Sequence, residues 1–404
     1  MRPRAALLAL AFAQAACGAA QPPGPTTSQQ AIEAQRVAQV LERRHPSHAK
    51  LDAGVAARAF DQLLHALDPS SGCAPVRSAL DVDGARIAAA LKRGDFDFAV
   101  AAARACTGRT LTLEQAKALS LDALATAYDA HSHYLDAQAL ARRRGDVDAT
   151  GAAARGRLIE HAGHHSAWIE LPSFYLATQR SASSDVRFLA RELATRGASV
   201  LVLDLRGNSG GVVSEALALA GALLGGGPIA YERDAHGHVR ELTAATSSVF
   251  WTGPVVVLID ARTASMAELF AGALQDRGRA LLIGERSYGK GIGQTLVLLS
   301  SPIGGALGAV DVTERAFYRL DGTALHELGV TPDVALASRP EPKAVFASWS
   351  PARIEPTHAG TLQRLDAKHV DRARAAIEGA GPSELDRILD ATAAYTGALA
   401  GEQR

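Results

Sequence analysis

The sequence predicts an α/β protein whose core is built of βαβ units around a largely parallel sheet, preceded by an all-helical segment. Three observations carry this. Residues 31–143 repeat apolar residues at three- and four-residue spacing, the period of helices with one buried face. Residues 199–205, SVLVLDL, and 254–259 are continuous apolar runs, as in strands buried on both faces. Helical periods separate those runs, and strand–helix–strand alternation makes parallel sheets.

Taken in order, residues 18–30 are rich in Pro, Gly, Thr and Gln and read as a flexible leader. Helices are expected over 32–44, 53–67, 84–92, 98–106 and 113–128, within a helical domain 31–143. Residues 144–165 are small and polar and read as a linker. A core follows over 166–335. Its expected strands are 166–171, 199–205, 254–259 and 280–283, with helices over 184–195, 215–224 and 266–275. Residues 336–404 form a tail, first polar and then helical, and no internal repeat is present.

Of the 404 residues, 48% are hydrophobic and 21% charged, as in a globular domain, and the net charge is zero. That balance gives no reason to expect a nucleic acid or an anionic membrane as partner. The N-terminus reads as a secretory signal, 1–17. Arg2 and Arg4 precede an apolar run, 5–16, too short to span a bilayer, and Ala13-Gln14-Ala15 offers a cleavage point. Two readings of Cys17 stand open: removal with the signal, or lipidation as the first residue of a membrane-tethered lipoprotein. Export permits disulfides, so Cys73 and Cys106 are either a pair or two small buried thiols. The expected location is the periplasm or cell envelope.

The chemistry-bearing residues lie in three segments. In Thr263-Ala264-Ser265-Met266-Ala267-Glu268 a buried strand has just ended and a helix begins, so Ser265 stands at a strand-to-helix turn beside unpaired helix N–H groups. By itself Ser265 is better read as an ordinary N-cap. In residues 284–294, GERSYGKGIGQ, glycines at 289, 291 and 293 surround Lys290, and Lys290, Ile292 and Gln294 share parity on an extended chain. A lysine enclosed there loses hydration, which favours the neutral amine that a general base needs. Serine–lysine pairs are a variant of the hydroxyl-plus-base arrangement. The third segment, Asp204-Leu205-Arg206-Gly207-Asn208-Ser209-Gly210-Gly211, puts paired glycines at the end of a strand, where their N–H groups can cradle an anion. Residues 284–290 also spell G-x-x-x-x-G-K. Gly291 replaces the Ser or Thr that a nucleotide-binding loop requires there, and a strand follows in place of a helix, so no nucleotide is expected. Ser287-x-x-Lys290 matches a β-lactamase motif, but the glycine density disfavours the helix that motif needs, and no K-T-G follows. His161, His164 and His165 lack supporting ligand spacing, and no metal is expected. Asp204 and Arg206 read as a structural ion pair.

Together D-L-R-G-N-x-G-G, T-A-S-x-A-E and G-E-x-x-x-G-K-G-x-x-Q resemble the carboxyl-terminal processing proteases, serine peptidases of family S41 with a crotonase-like core, and most of all their tail-specific branch. The resemblance runs from Trp168 to about Val334, with weaker echoes at 66–69 and in Asp129-Ala130-His131-Ser132-His133-Tyr134-Leu135. It implies Ser265 as nucleophile, Lys290 as base 25 residues later, and Gln294 as the residue orienting that base. It further implies Gly210, Gly211 and Met266 as oxyanion donors and Glu268 as a structural support. No cofactor is implied, and the substrates are polypeptides. Such proteases carry a PDZ domain after the motif at 129–135. The interval here, 136–167, is too short for one, which puts tail-specific recognition in doubt. The rival expectation is a non-catalytic ligand- or peptide-binding protein on the same fold; an acyl-CoA enzyme of that fold finds no support in the sequence.

Overall fold

A computed structural model describes residues 29–402 apart from 71, 75, 77–82, 143–152, 247, 301–305, 337–348, 357–361 and 382. The expected signal, with Cys17, and nearly all of the leader lie outside these residues. The described residues form two compact units, one drawn from Met1–Thr150, Gln294–Glu314 and Val345–Trp349, the other from Gly151–Gly293, Arg315–Ala344 and Ser350–Arg404.

The first unit packs helices α1 (Gln29–Arg44), α2 (Ala53–Leu67), α3 (Gly84–Arg93), α4 (Asp97–Thr107) and α5 (Leu113–Thr126). The helices start and stop where local chemistry says they should. Asp52 accepts the Val55 N–H at 2.8 Å, Asp83 caps α3, and Thr112 with Gln115 forms a capping box on α5. Their apolar faces bury Leu41, Phe60, Leu63, Leu91 and Leu121 in one core. Cys73 and Cys106 form a disulfide, which closes the question left open by the sequence. The region is not wholly helical, because β1 (His133–Leu135) pairs antiparallel with β10 (Ala306–Tyr318), with His133 opposite Asp311.

The second unit holds a six-stranded sheet in the order β11-β8-β7-β4-β3-β2. The strands are β2 (Arg155–His161), β3 (His164–Glu170), β4 (Val200–Asp204), β7 (Val255–Ile259), β8 (Leu281–Gly284) and β11 (Val334–Ala335). All pairs are parallel except β2 with β3. Side-chain alternation divides each strand between two cores. Ala167, Ile169, Leu201, Leu203, Val255 and Val257 face one way, packed with α6 (Ala182–Thr195), α7 (Val213–Leu224) and α8 (Met266–Asp276). Trp168, Val200, Val202, Val256 and Leu258 face the other, covered by Ala373 of α9 (Ala367–Glu378) and Ile388 and Tyr395 of α10 (Glu384–Glu402). The tail after 336 is therefore the second cover of the sheet, which explains why the strands are apolar throughout. The C-terminal end of β10 pairs with β5 (Gly227–Asp234), which pairs with β6 (Val239–Ala244).

Two expected boundaries need correction. The stretch 144–165 is not all linker, because β2 lies inside it and joins the sheet at its edge. As the edge strand it is largely exposed, with Leu158 and Ile159 only partly buried, so Arg155, Arg157 and Glu160 give it a polar composition. The core 166–335 is also not one body, since 294–314, with most of β9 (Ile292–Ser300), belongs with the helices.

Candidate active site

The turns that leave β4, β7 and β8 all lie at the carboxyl ends of parallel strands, where open α/β sheets place their ligands. Ser265 occupies the turn after β7 and immediately precedes α8. Its backbone has φ 56° and ψ −120°, a region that costs a residue with a Cβ about 1–3 kcal/mol. Neighbouring segments hold it there. The Ala264 N–H donates to Asn208 O at 2.9 Å, and the Tyr288 N–H to Thr263 O at 2.9 Å.

Glu268 is the organising residue. It is fully buried one turn into α8, and its carboxylate reaches both loops. Oε2 accepts the Ser265 N–H and the Lys290 N–H, each at 2.8 Å. Oε1 accepts the Gly289 N–H at 2.6 Å and the Ser287 hydroxyl at 2.5 Å. One oxygen thus binds the backbones of Ser265 and Lys290, so the two nitrogens stand within two hydrogen-bond lengths of each other. Burial pushes the Glu268 carboxyl above its ordinary value, against the pull of the bonds from Ser287, Gly289, Ser265 and Lys290. Lys290 and Ser265 are both half-buried.

The glycine pair abuts this turn. A Cβ on Gly210 would stand 2.9 Å from Ser265 Cβ and 3.0 Å from Met266 N, and one on Gly211 would stand 2.4 Å from Phe174 O. Both also have positive φ, 109° and 139°, so only glycine fits. Met266, the first residue of α8, has no acceptor for its N–H within the helix. The Gly210 N–H is committed to Asn208 Oδ1 at 2.8 Å. The Gly210 carbonyl and the Val212 N–H pair with Phe174, which leaves the Gly211 N–H on the opposite edge of the segment. Gln294, the third residue of β9, donates Nε2 to Thr313 Oγ1 at 3.1 Å, within the first unit.

Two residues that organise these loops carried no assigned role at the level of sequence. Asn208, wholly buried, donates Nδ2 to Leu171 O at 2.9 Å while its Oδ1 holds Gly210. Ser287, also buried, receives the Val330 N–H at 2.7 Å and donates to Glu268. An amide side chain in a glycine-rich turn is a weak signal, and only the fold supplies its partners. The Asp204–Arg206 ion pair is present at 2.6 Å, and Arg206 also reaches Glu384. Both line a cavity of about 660 Å³ at the carboxyl ends of the strands, with Glu170, Asp260, Arg262 and Glu285. The histidines of the 161–165 segment have ordinary partners: His161 bonds Asp390 at 2.6 Å, and His165 lies 3.7 Å from Glu160.

Residues 165–336 match the model of Peptidase family S41. The chain is 34% identical over 176 residues to a tail-specific protease of Haemophilus influenzae, covering 43% of this chain and 25% of that protein. It is 37% identical over 186 residues to the chloroplastic carboxyl-terminal-processing peptidase 2 of Arabidopsis thaliana, covering 44% of this chain and 34% of that one. The chain thus spans between a quarter and about a third of the length of these two relatives. A lipoprotein structure from Streptococcus agalactiae superposes with a TM-score of 0.52 at 14% identity, covering 78% of this chain and 95% of that one, and so shares the fold.

Proposed function

From the match of residues 165–336 to the model of Peptidase family S41, we propose that the protein is a serine endopeptidase of the cell envelope that cleaves polypeptides through an acyl-enzyme. The observation that carries this is the Glu268 carboxylate, which ties the Ser265 turn to the Lys290 loop through bonds of 2.8 Å to each.

The neutral Lys290 amine takes the Ser265 hydroxyl proton as Oγ attacks the substrate carbonyl carbon. The carbonyl oxygen gains the electron pair and is met by N–H groups of Met266 and Gly211. With the Gly210 N–H held by Asn208, the Gly211 N–H is the second donor in the resting arrangement. Collapse of the tetrahedral adduct breaks the C–N bond, and Lys290 returns its proton to the leaving amine. Water, activated by the same amine, then hydrolyses the ester. Gln294 orients Lys290 by accepting one of its N–H groups. The Cys73–Cys106 disulfide supports an oxidising compartment, in keeping with the expected export signal. The interval between β1 and β2 is only 136–154, so substrate is chosen by surfaces other than a PDZ module inserted there.

The test compares the wild-type chain with Ser265→Ala on unfolded, fluorescein-labelled β-casein. Cleavage by the wild type, reduced on the order of 1,000-fold or more in the variant and rising with pH as Lys290 loses its proton, is expected. Equal cleavage by both chains, or a rate flat from acid to alkaline pH, overturns the assignment.

A further inference from the structure

The motif at 129–135 has no part in the chemistry just described, yet its side chains end on Gln294. Asp129 is buried in the first unit beside His45, Ser132 and Thr313, all wholly buried. Its Oδ2 accepts His45 Nε2 at 2.8 Å and Ser132 Oγ at 2.7 Å. Its Oδ1 accepts the His131 N–H at 2.7 Å, the Ser132 N–H at 3.1 Å and Thr313 Oγ1 at 3.2 Å. The Thr313 N–H in turn donates to Ser132 Oγ at 3.1 Å, and Gln294 Nε2 donates to Thr313 Oγ1 at 3.1 Å.

The proton positions in this chain follow from its two ends. The Ser47 N–H donates to His45 Nδ1 at 3.1 Å, so that nitrogen is an acceptor and the ring proton sits on Nε2, facing Asp129. Burial alone would raise the Asp129 carboxyl; the bond from His45, with those from Ser132 and the His131 amide, outweighs it and brings the value to about 2. An ionised carboxylate accepts and never donates. Thr313 must therefore spend its one hydroxyl proton on Asp129, and its oxygen can only accept from Gln294. An amide facing an obligate acceptor presents its NH₂ group. The Oε1 end is then turned away from Thr313 and reserved for an N–H donor.

The structure assigns Asp129 and Thr313 the role of positioning residues that fix the polarity of the Gln294 amide, so that its carbonyl oxygen is the end offered to the Lys290 amine. This rests on the proposal that Gln294 orients Lys290. A general-base lysine must be neutral, and a neutral amine is held by an acceptor on one of its N–H groups while its lone pair faces the serine. An amide turned the other way would present NH₂ to that lone pair and compete with the serine hydroxyl for it. The weakly matched sequence around Asp129 thereby acquires a function: it sets a hydrogen-bond direction.

The experiment measures kcat and KM on labelled β-casein for the wild type, Thr313→Val, Thr313→Ser and Gln294→Glu. It also follows hydrogen exchange of the Gln294 side-chain amide by NMR of ¹⁵N-glutamine-labelled protein, with thermal melts to verify folding. Expected are a roughly ten-fold lower kcat in Thr313→Val with KM changed less than about two-fold, and recovery in Thr313→Ser. Gln294→Glu, whose carboxylate cannot donate to Thr313, should lose at least as much and serves if the valine variant does not fold. The Gln294 Nε2 protons should be protected in the wild type and in Thr313→Ser, and exposed in Thr313→Val. Unprotected Nε2 protons in the wild type, equal loss in Thr313→Ser and Thr313→Val, or wild-type kcat in Gln294→Glu overturns the assignment while leaving the peptidase reading intact. A wild-type chain that protects the amide but cleaves nothing overturns the peptidase reading, and with it the catalytic meaning of the network.

Discussion

Glu268 in the second unit and Asp129 in the first are both buried carboxylates serving as acceptors for several N–H and O–H groups, yet their acidities move in opposite directions. Asp129 takes a bond from an imidazole as well as from hydroxyl and backbone groups, and these outweigh its desolvation. Glu268 receives backbone N–H groups and one serine hydroxyl, and desolvation wins. The difference teaches what each carboxylate is built for. Asp129 stays charged across the physiological range and so fixes hydrogen-bond directions in the helical unit. Glu268 lies closer to losing its charge, and its protonation would remove an acceptor from the joint between the Ser265 turn and the Lys290 loop.

The largest effect that would test this contrast comes from deleting the core acceptor. Glu268→Leu leaves the Ser265, Gly289 and Lys290 N–H groups and the Ser287 hydroxyl buried without their partner. At about 1–3 kcal/mol for each orphaned group, a loss of about 4 kcal/mol or more in unfolding free energy is expected. A fall in kcat of roughly 100-fold should accompany it, from loops displaced by about 1 Å. A variant with wild-type denaturant midpoint and kcat would show that the joint is held by other contacts.

Reduction of Cys73–Cys106 should weaken the helical unit instead. The bridge spans 33 residues, for which loop-closure entropy gives roughly 4 kcal/mol. Hydrogen exchange in α2, α3 and α4 should accelerate in reductant, with less change in β4 and β7. Uniform acceleration across both units would break the distinction drawn between them.

The smallest effect is the pH dependence, where the two carboxylates should show opposite signs. Asp129 is held at about 2 against 3.8 when unfolded, so it contributes about 2 kcal/mol that is present above pH 3.8 and lost as pH falls towards 2. Glu268 is raised above 4.5, so the folded state binds its proton more tightly. The folded chain therefore gains stability relative to Glu268→Gln as pH falls from neutral towards 4.5. Urea titrations of wild type, Glu268→Gln and Asp129→Asn at several pH values would resolve the two. Parallel curves for wild type and Asp129→Asn down to pH 2 would contradict the assignment for Asp129.

Most of the secondary structure was legible in the sequence. α2 occupies 53–67 as its apolar period predicts, and the run at 254–259 is β7 within one residue. Edge strand β2 was not legible, because a largely exposed strand has the composition of a linker. The three segments of the candidate site were also visible as motifs, since glycine at 210, 211 and 289 marks places where another backbone passes too close for a side chain. The roles of Asn208 and Ser287 were not visible, because a buried amide or hydroxyl is defined by partners far along the chain.

Local chemistry alone determined that Ser265 would stand where a buried strand gives way to a helix, that glycines would surround Lys290, and that a parallel α/β core would follow a helical region. These depend on periodicity and backbone freedom, which neighbouring residues specify. Only the tertiary structure decided that one Glu268 oxygen joins Ser265 to Lys290, that Cys73 meets Cys106, and that Asp129 governs the direction of the Gln294 amide. Each of these joins residues 22 or more positions apart or runs through a third residue supplied by another strand, and only folding sets such distances.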